Sequence, residues 1–291
     1  MMISSSLFGI NNKYSDTESI RMLAENGFDA YDMPFFAMAD NPEHPLNTED
    51  YISYIYDLKE TAKKSGIVCN QAHAPFHSSN GDPEFDEYRF RQIVRSMECA
   101  AVLGAKTIVV HPKQHLYYGN HKNELAEINI AFYQSLIPYC EKYGIKVAVE
   151  NMYQTENGLD DGRIVPSTCA NPKEFCEYVD VVRSEWIVAC LDIGHSVLTG
   201  NKLDDTVLAL GNRLQALHVH DVDDVHDNHA LPYMCNIDFQ KLIDSLKKIH
   251  YQGDMTFEPC GYFWELPRKL VPSGICLMRD IGRYLVSQIV D

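Results

Sequence analysis

One pattern recurs along the chain: a stretch of helical character is followed by a glycine and then by a short apolar run rich in β-branched residues. The glycines of this pattern are Gly27, Gly66, Gly104, Gly144 and Gly253. A glycine just past a helix supplies the left-handed conformation that ends it. The runs that follow are typical of buried strands, so the pattern predicts helices that alternate with strands.

Three helix starts are marked by their own residues. Ser15 and Glu18 have the spacing of a capping box, in which each side chain bonds the backbone of the other residue. Asp82 and Asn171 each precede a proline, which is favoured at the first position of a helix. We therefore expect helices to begin directly after Ser15, Asp82 and Asn171.

Eight strands follow from the pattern, at residues 3–8, 28–33, 67–73, 106–111, 145–150, 187–192, 214–220 and 254–259. Helical segments separate them, and only the connection near residues 203–210 is short. Strands that alternate with helices, without a long linker, indicate parallel βαβ units. Eight such units predict an α/β fold, a (β/α)8 TIM barrel formed by residues 1–291 as a single domain. An open doubly wound sheet is the alternative, but its glycine-rich dinucleotide motif is missing.

The composition narrows the class of protein. The chain has 291 residues, with 25 basic and 41 acidic side chains and a formal charge of −16. Its 45% of hydrophobic and 23% of charged residues are typical of a folded globular protein. Because polyanions are bound mainly through Lys and Arg, this acidic balance predicts no nucleic-acid partner.

The lack of a predicted targeting signal and the pattern of cysteines favour a cytoplasmic location. The chain begins without the basic and apolar regions of a secretory signal, and no run of about 18 apolar residues predicts a membrane span. The nine cysteines are scattered and form no CxxC pair. This pattern is typical of free thiols in a reducing compartment. We therefore expect a cytoplasmic enzyme without a membrane partner.

Ionisable side chains stand at the ends of six consecutive predicted strands. In chain order they are His73, His111, Glu150, Asp192 with His195 one turn on, His218 and Glu258, and Asp227 and His229 lie between the last two strands. The active site of a barrel lies at this end of its strands. One such residue is usually structural, but burying so many charges is costly unless something neutralises them. Divalent ions do so most simply, and imidazole and carboxylate ligands suit Zn, Mn, Fe or Co.

These residues stand in motifs that resemble those of the xylose isomerase-like TIM barrel superfamily. The motifs are His73-Ala-Pro, His111-Pro, Glu150-Asn, Asp192-Ile-Gly-His195, His218-Val-His-Asp, Asp227-Asn-His229-Ala-Leu-Pro and Phe-Glu258-Pro. They follow the order of the superfamily from the third strand to the eighth. The superfamily contains sugar phosphate isomerases and epimerases, ketose 3-epimerases, inosose dehydratases and endonuclease IV. The resemblance is specific for the superfamily and leaves the substrate open.

The resemblance implies between one and three divalent ions. By position, the four ligands of the single ion in the epimerase branch are matched by Glu150, Asp192, His218 and Glu258. Endonuclease IV holds three zinc ions, and all nine of its ligand positions are also matched by ligand-capable residues here. A second site would use His73 and His111 with Glu150, and a third would use His195, Asp227 and His229. Leu231–Asp238 lacks the glycines of the common sugar-isomerase pattern, which implies a differently shaped lid beside the third site.

The resemblance also implies a sugar or sugar-phosphate isomerase or epimerase that transfers a proton next to a carbonyl. The divalent ion stabilises the enediolate as a Lewis acid in such a reaction. Glu150 and Glu258 would serve as the base and the acid, and His195 would bond a substrate oxygen. Return of the proton to the opposite face inverts the carbon, whereas return to the neighbouring carbon interconverts aldose and ketose.

The predicted loops around the site suit a small carbohydrate. Phe36 and Trp264 belong to a set of aromatic side chains that can pack against the C–H bonds of a sugar. Arg163 is a candidate for binding a phosphate or carboxylate group of the substrate, and Lys113 is a weaker one. Barrels of this superfamily often pair through their helices or loops, so a homo-oligomer is one expected arrangement.

Three other functions stay open. A trinuclear zinc phosphodiesterase like endonuclease IV is favoured by the ligand count. It is opposed by the charge, because the loops after the second and third predicted strands contain no Lys or Arg. An inosose dehydratase would use the same enolate chemistry and expel a hydroxyl group. A non-catalytic binder is disfavoured, because both acid and base positions carry carboxylates.

Overall fold

Eight parallel strands form the central sheet of the protein in a computed structural model that describes residues 1–159 and 162–289. The strands along the chain are β1 (Ile3–Ser6), β2 (Ala30–Pro34), β3 (Val68–His73), β4 (Thr107–Val110), β5 (Lys146–Glu150), β6 (Tyr153–Thr155), β7 (Ile164–Pro166), β8 (Ile187–Asp192), β9 (Leu214–His218) and β10 (Met255–Phe257). β6 and β7 form a separate antiparallel hairpin, and the other eight strands confirm the eight that the sequence predicts.

The sheet closes into a barrel because the two strands at its edges, β10 and β9, meet. Its order is β10-β1-β2-β3-β4-β5-β8-β9. The amide of Val219 donates to the carbonyl of Thr256 (2.9 Å), and the amide of Glu258 donates to the carbonyl of Val219 (3.0 Å). These bonds join the chain just after β9 to β10, so the (β/α)8 barrel is confirmed and the open sheet is not.

At least one helix follows every strand of the barrel along the chain. The helices are α1 (Asp16–Glu25), α2 (Ala37–Asp40), α3 (Tyr51–Ser65), α4 (Pro83–Leu103), α5 (Tyr118–Tyr143), α6 (Pro172–Val182), α7 (Ile193–Leu198), α8 (Leu203–Leu210), α9 (Phe239–Lys248), α10 (Cys260–Glu265) and α11 (Val271–Ile289). The predicted starts are confirmed: Ser15 forms a capping box with Glu18, and the side chains of Asp82 and Asn171 cap α4 and α6. No helix in the described ranges is long and apolar enough to cross a membrane.

The predicted glycine stops are correct at four of the five positions. Gly27, Gly66, Gly104 and Gly144 follow helices at positive φ. The prediction is wrong at Gly253, where the residue that follows α9 in the left-handed region is His250 (φ 53°). A Cβ atom at Gly253 would lie 2.1 Å from the hydroxyl of Tyr251. Close packing, rather than the helix end, therefore requires this glycine.

The interior of the barrel is half apolar and half polar. The main hydrophobic core lies between the sheet and the helices. A separate small apolar cluster comprises Val109, Ala148, Val188, Cys190 and Ala216 on β4, β5, β8 and β9. Facing strands carry buried polar residues instead, among them Ser4, Asp32, Asn70 and Thr256. Barrels are usually filled by bulky branched side chains, so this polar half is a departure that the site above it explains.

Candidate metal and active site

Six predicted site residues lie together at the carboxyl end of the barrel. His73, Glu150, Asp192 and His218 are the last residues of β3, β5, β8 and β9, and His111 and Glu258 directly follow β4 and β10. Parallel pairing sets Asp192 beside His218, so adjacent strands bring their terminal side chains together. All six side chains are buried.

A first cluster surrounds His218. Its Nδ1 atom lies 3.1 Å from Oε1 of Glu150, 3.4 Å from Oε2 of Glu258 and 4.0 Å from Oδ2 of Asp192. Ligand atoms that share one ion at about 2.0–2.2 Å are separated by about 3–4 Å, depending on the coordination geometry. Glu150, Asp192 and His218 each offer a ligand atom within 4.8 Å of the other two, which would allow one divalent ion, and Glu258 lies close enough to His218 to join them.

A second cluster shares Glu150 with the first. The Nε2 atom of His111 lies 2.8 Å from Oε2 of Glu150 and 2.8 Å from Nε2 of His73. Two imidazole nitrogens at this distance must share either a proton or a cation. One ligand atom from each of His73, His111 and Glu150 lies within 4.8 Å of the other two, which would allow a second ion.

A third cluster lies nearer the solvent. Oδ2 of Asp227 is 3.1 Å from Nε2 of His229 and 3.4 Å from Nε2 of His195. The other ring nitrogens are fixed by the backbone: Nδ1 of His229 by the carbonyl of Glu258, and Nδ1 of His195 by the carbonyl of Asn151. Such bonds orient imidazoles toward a metal. The structure therefore brings eight of the nine predicted ligands into three adjoining clusters, and Glu258 lies beside the first through its 3.4 Å contact with His218.

The carboxylates are kept ionised by the histidines that surround them. Burial by itself raises the pKa of Glu150, but His218 and His111 lower it well below its usual value. Burial also opposes ionisation of Glu258, and there His218 and His73 lower the pKa. Both proposed acid–base residues are therefore carboxylates at neutral pH in the ion-free protein.

Two of the histidines have pKa values shifted in opposite directions. Burial lowers the pKa of His195, but the charges of Asp192 and Asp227 raise it to about 10. Burial, followed by the neighbouring His111, lowers the pKa of His73 to about 4. In the ion-free protein at neutral pH, His195 is therefore a cationic donor and His73 is a neutral imidazole with one N–H group.

His220 is a site residue whose role the sequence left undecided. Its Nε2 atom lies 2.9 Å from Oδ2 of Asp192, and its ring stacks on that of His229 with centroids 4.0 Å apart. His220 therefore links the first cluster to the third. The signal was the alternation in His218-Val-His220, which turns both rings to the same side of the chain.

Asp32 was missed entirely. It lies inside β2 and is fully buried, and burial raises its pKa to about 7, although His218 acts in the opposite direction. One of its oxygens belongs to a group of ligand atoms with His73 and His218. The available signal was an acidic residue within a predicted strand, at Tyr31-Asp32-Met33.

A cavity of about 660 Å³ opens above the clusters. Its wall includes Glu150, Glu258 and His195, the three predicted catalytic residues, and Phe36 and Trp264, two predicted substrate contacts. The ring of Phe8 packs edge-on against both aromatics, at 4.9 and 5.3 Å between centroids. Within the described ranges, no Lys or Arg lines this cavity.

The structure places the predicted cationic contacts elsewhere. Arg163 does not line the cavity; its side chain is 77% exposed and lies 3.7 Å from Glu156. Lys113 forms an ion pair with Asp86 at 2.9 Å. Neither side chain is therefore positioned to bind a substrate phosphate, because exposed and paired cations are already satisfied by solvent and by carboxylates.

Comparison with known proteins identifies the fold. The family model described as the xylose isomerase-like TIM barrel matches residues 20–279. An uncharacterized protein of Methanocaldococcus jannaschii is 26% identical over 250 residues, which cover 83% of this chain and 78% of that protein. The L-ribulose 3-epimerase of Methylomonas sp. is 26% identical over 167 residues, which cover 57% of this chain and 52% of the epimerase.

Solved structures resemble the whole chain. A D-tagatose 3-epimerase-like protein superposes with a TM-score of 0.78 at 22% identity and covers 99% of this chain and 98% of its own. The IolI protein, solved with a zinc atom, has a TM-score of 0.77 at 17% identity, with 100% of both chains covered. A D-psicose 3-epimerase solved in the presence of D-fructose has a TM-score of 0.75 at 15% identity, covering 98% of this chain and 99% of its own. At these identities the likeness shows the fold.

Proposed function

The chain belongs to the xylose isomerase-like TIM barrel family, and on that premise we propose that it is a divalent-metal-dependent epimerase or isomerase of free sugars. The observation that carries the proposal is the placement of Glu150 and Glu258. Both carboxylates contact the same histidine, His218, and both line the cavity. A sugar held there has one carboxylate available for each of the two proton transfers that epimerisation requires.

The ion would be held by Glu150, Asp192, His218 and Glu258, whose separations fit one divalent cation. Its mixed oxygen and nitrogen ligands suit Zn, Mn, Co or Fe, and the similar IolI structure contains zinc. When bound, the ion supplies the positive charge that lowers the cost of forming an enediolate from a sugar carbonyl.

Glu150 and Glu258 move the proton. One carboxylate removes the proton from the carbon next to the carbonyl, and the other delivers a proton to the opposite face, which inverts that carbon. Delivery to the neighbouring carbon would instead interconvert an aldose and a ketose. Glu150 ends β5 and Glu258 follows β10, strands that lie on the two sides of β9 in the barrel, and this placement supports a separate role for each.

His73 lies beside both carboxylates. Its Nε2 atom lies 3.6 Å from Oε2 of Glu150, and its Nδ1 atom lies 3.5 Å from Oε1 of Glu258. These separations are longer than ordinary hydrogen bonds, and Nε2 is instead 2.8 Å from Nε2 of His111. His73 therefore lines the space between the two carboxylates without a direct hydrogen bond to either.

The cavity wall supports a neutral sugar rather than a sugar phosphate. Its described part contains no Lys or Arg, whereas enzymes bind phosphate groups through cations and backbone amides. Phe36 and Trp264 offer aromatic faces to the C–H bonds of a sugar. His195, which is cationic in the ion-free protein, is placed to donate a hydrogen bond to a substrate oxygen.

The three ligand clusters favour a second candidate, a trinuclear zinc phosphoesterase. This activity would need ions in all three clusters and cations to hold a phosphodiester. The net charge of −16 and the cation-free cavity wall oppose it for a DNA substrate. A dehydratase acting on an inosose-like ketone is a further variant of the same enolate chemistry.

An assay of substrate classes tests the proposal. The zinc-, manganese- and cobalt-loaded protein is incubated with free ketoses, their phosphates, inososes and an abasic-site DNA duplex. We expect conversion of at least one free ketose, loss of that conversion with EDTA, and much lower kcat/KM for its phosphate. Cleavage of the DNA without conversion of any sugar would instead support the phosphoesterase.

A further inference from the structure

Asp32 is a buried carboxylate with no hydrogen bond of ordinary geometry, although the side chain of Ser6 lies near enough to lower its pKa. It is 0% exposed, and neither of its oxygens has a hydrogen bond among the described residues. Strand pairing sets it beside Ser6 on β1 and Gln71 on β3. An unpaired carboxylate in a protein interior is strongly disfavoured unless water or an ion completes its shell.

Two imidazole nitrogens near Asp32 are also unpaired. Nε2 of His218 and Nδ1 of His73 are buried without a hydrogen bond. One ligand atom from each of Asp32, His73 and His218 lies within 4.8 Å of the other two. No hydrogen bond joins these atoms directly, but groups this close can all be reached by one shared water through bonds of about 2.8 Å.

The other ring nitrogen of His218, Nδ1, faces the proposed ion site. This atom points at Glu150 and Glu258, at 3.1 and 3.4 Å, and this face of the ring would meet the ion. For Nδ1 to carry a free electron pair, the proton of the neutral ring must be on Nε2. A carboxylate that accepts from Nε2–H, directly or through water, fixes that tautomer and makes the ligand more basic. The thiol of Cys190 also lies near His218, but a thiol is a weak hydrogen-bond acceptor.

We propose that Asp32 is a positioning residue for the metal site, and that it holds His218 through one buried water shared with His73. The proposal rests on the proposed function, because it assigns His218 as a ligand of the catalytic ion. Asp32 touches neither the ion nor the substrate. Its effect is to hold the imidazole of His218 with Nδ1 facing Glu150 and Glu258.

Metal affinity tests this role without any activity assay. Zinc binding is measured by competition with a chromogenic chelator, and the visible spectrum of the cobalt-loaded protein reports the ligand geometry. Removal of a residue that orients a metal ligand typically weakens binding by about 10- to 100-fold. We expect a loss of this size and an altered cobalt spectrum in Asp32→Leu. We expect substantial recovery of both in Asp32→Asn, whose amide oxygen can still accept from the water.

Thr256→Val is the matched control. Thr256 is also fully buried in the polar half of the barrel. Among the described residues, the one hydrogen bond found for its hydroxyl joins it to Asn70, at 3.5 Å. We expect wild-type zinc affinity in this variant. Wild-type zinc affinity in a folded Asp32→Leu protein would overturn the proposed role of Asp32 and would leave the metal-dependent function standing. Failure of the wild-type protein to bind zinc, manganese, cobalt or iron would overturn the metal-dependent function itself.

A crystal structure of the zinc-loaded wild-type protein covers the case in which Asp32→Leu does not fold. We expect one ordered water within hydrogen-bond distance of Asp32 and of Nε2 of His218. Anomalous scattering that places a metal ion at this position would overturn the proposal, and so would direct contact of Asp32 with another residue in the absence of a water.

Discussion

The Nδ1 atom of His218 lies 3.1 Å from Oε1 of Glu150. Burial opposes protonation of His218, but Cys190 and the carboxylates of Glu258 and Glu150 together outweigh burial and raise its pKa well above the ordinary value. In the ion-free protein the imidazolium therefore compensates the charge of the carboxylates. A divalent ion bound there would do the same with two charges, so we expect it to take the place of the proton.

This exchange predicts zinc binding that strengthens with pH. A histidine with a raised pKa is protonated below that pKa, and the ion must displace the proton; the cost of displacement falls as pH rises. We expect apparent affinity to be higher at pH 8 than at pH 6, by about tenfold per pH unit for each proton released. Calorimetry in two buffers of different ionisation enthalpy measures the released protons.

The matched variants are His218→Gln and His226→Gln. His226 also pairs with an aspartate, Asp223 at 3.0 Å, but it is exposed and lies outside the three clusters. We expect His226→Gln to release as many protons as the wild type and His218→Gln to release fewer. Equal proton release in the wild type and His218→Gln, or affinity independent of pH, would argue against the exchange.

Trp264 provides a direct signal of sugar binding. The chain has two tryptophans; Trp264 lines the cavity, whereas Trp186 lines a hollow at the opposite end of the barrel. We expect sugar to change the fluorescence of the wild type and of Trp186→Phe, but not of Trp264→Phe. Loss of one apolar contact in Trp264→Ala should raise KM by about tenfold with little effect on kcat. An unchanged KM would remove Trp264 from the sugar site.

Gly194 is expected to be intolerant of alanine. In a helix such as α7, alanine is ordinarily better than glycine by about 0.5–1 kcal/mol. Here a Cβ atom would lie 2.2 Å from Cε1 of His220, which is held by Asp192 and stacked on His229. Overpacking of this kind costs about 1–3 kcal/mol, so it outweighs the gain.

Thermal unfolding and competition with a chelator test whether Gly194→Ala destabilises the protein. We expect Gly194→Ala to melt below the wild type in EDTA and to bind zinc more weakly, because displacement of His220 disturbs its bond to Asp192. An equal or higher melting temperature would mean that His220 is free to move, and the link between the first and third clusters would then carry little energy.

Arg163 is expected to be dispensable for turnover. Its guanidinium is 77% exposed and lies 3.7 Å from Glu156, outside the cavity wall. We expect Arg163→Ala and Glu156→Ala to change KM by less than about twofold, since exposed ion pairs contribute little. A rise in KM of an order of magnitude, confined to Arg163→Ala, would restore the substrate contact that the sequence suggested.

The strands and the ligand clusters were predictable for the same reason. Parallel strands end at one rim of a barrel, so residues far apart in the chain, such as His73 and Glu258, must meet there once eight strands are recognised. Because these residues are histidines, aspartates and glutamates, their meeting at one rim indicates a metal site.

The remaining features depend on packing that the sequence does not encode locally. The pairing of β2 with β3 shifts register between Tyr31 and Asp32, so periodicity alone does not show that Asp32 approaches His218. The left-handed residue after α9 is His250 rather than Gly253, and the glycine is required instead by the close approach of Tyr251, which local sequence does not show. The sequence also does not show on which side of the cavity wall Arg163 lies, because a loop residue can point either toward a site or into solvent.

Solvent exchange with matched carboxamide variants tests the central claim most directly. Ion-loaded protein is incubated in D₂O with a panel of free ketoses, including D-fructose, D-tagatose and D-allulose, and exchange next to the carbonyl is followed by NMR. Glu150→Gln and Glu258→Gln each retain an oxygen ligand but cannot accept a proton, and elemental analysis confirms that the ion remains. General acid–base catalysis contributes about 10²–10⁴-fold, so we predict loss of exchange on that scale in both variants. Wild-type exchange in either variant, or no exchange of any ketose by the ion-loaded wild type, would contradict the account.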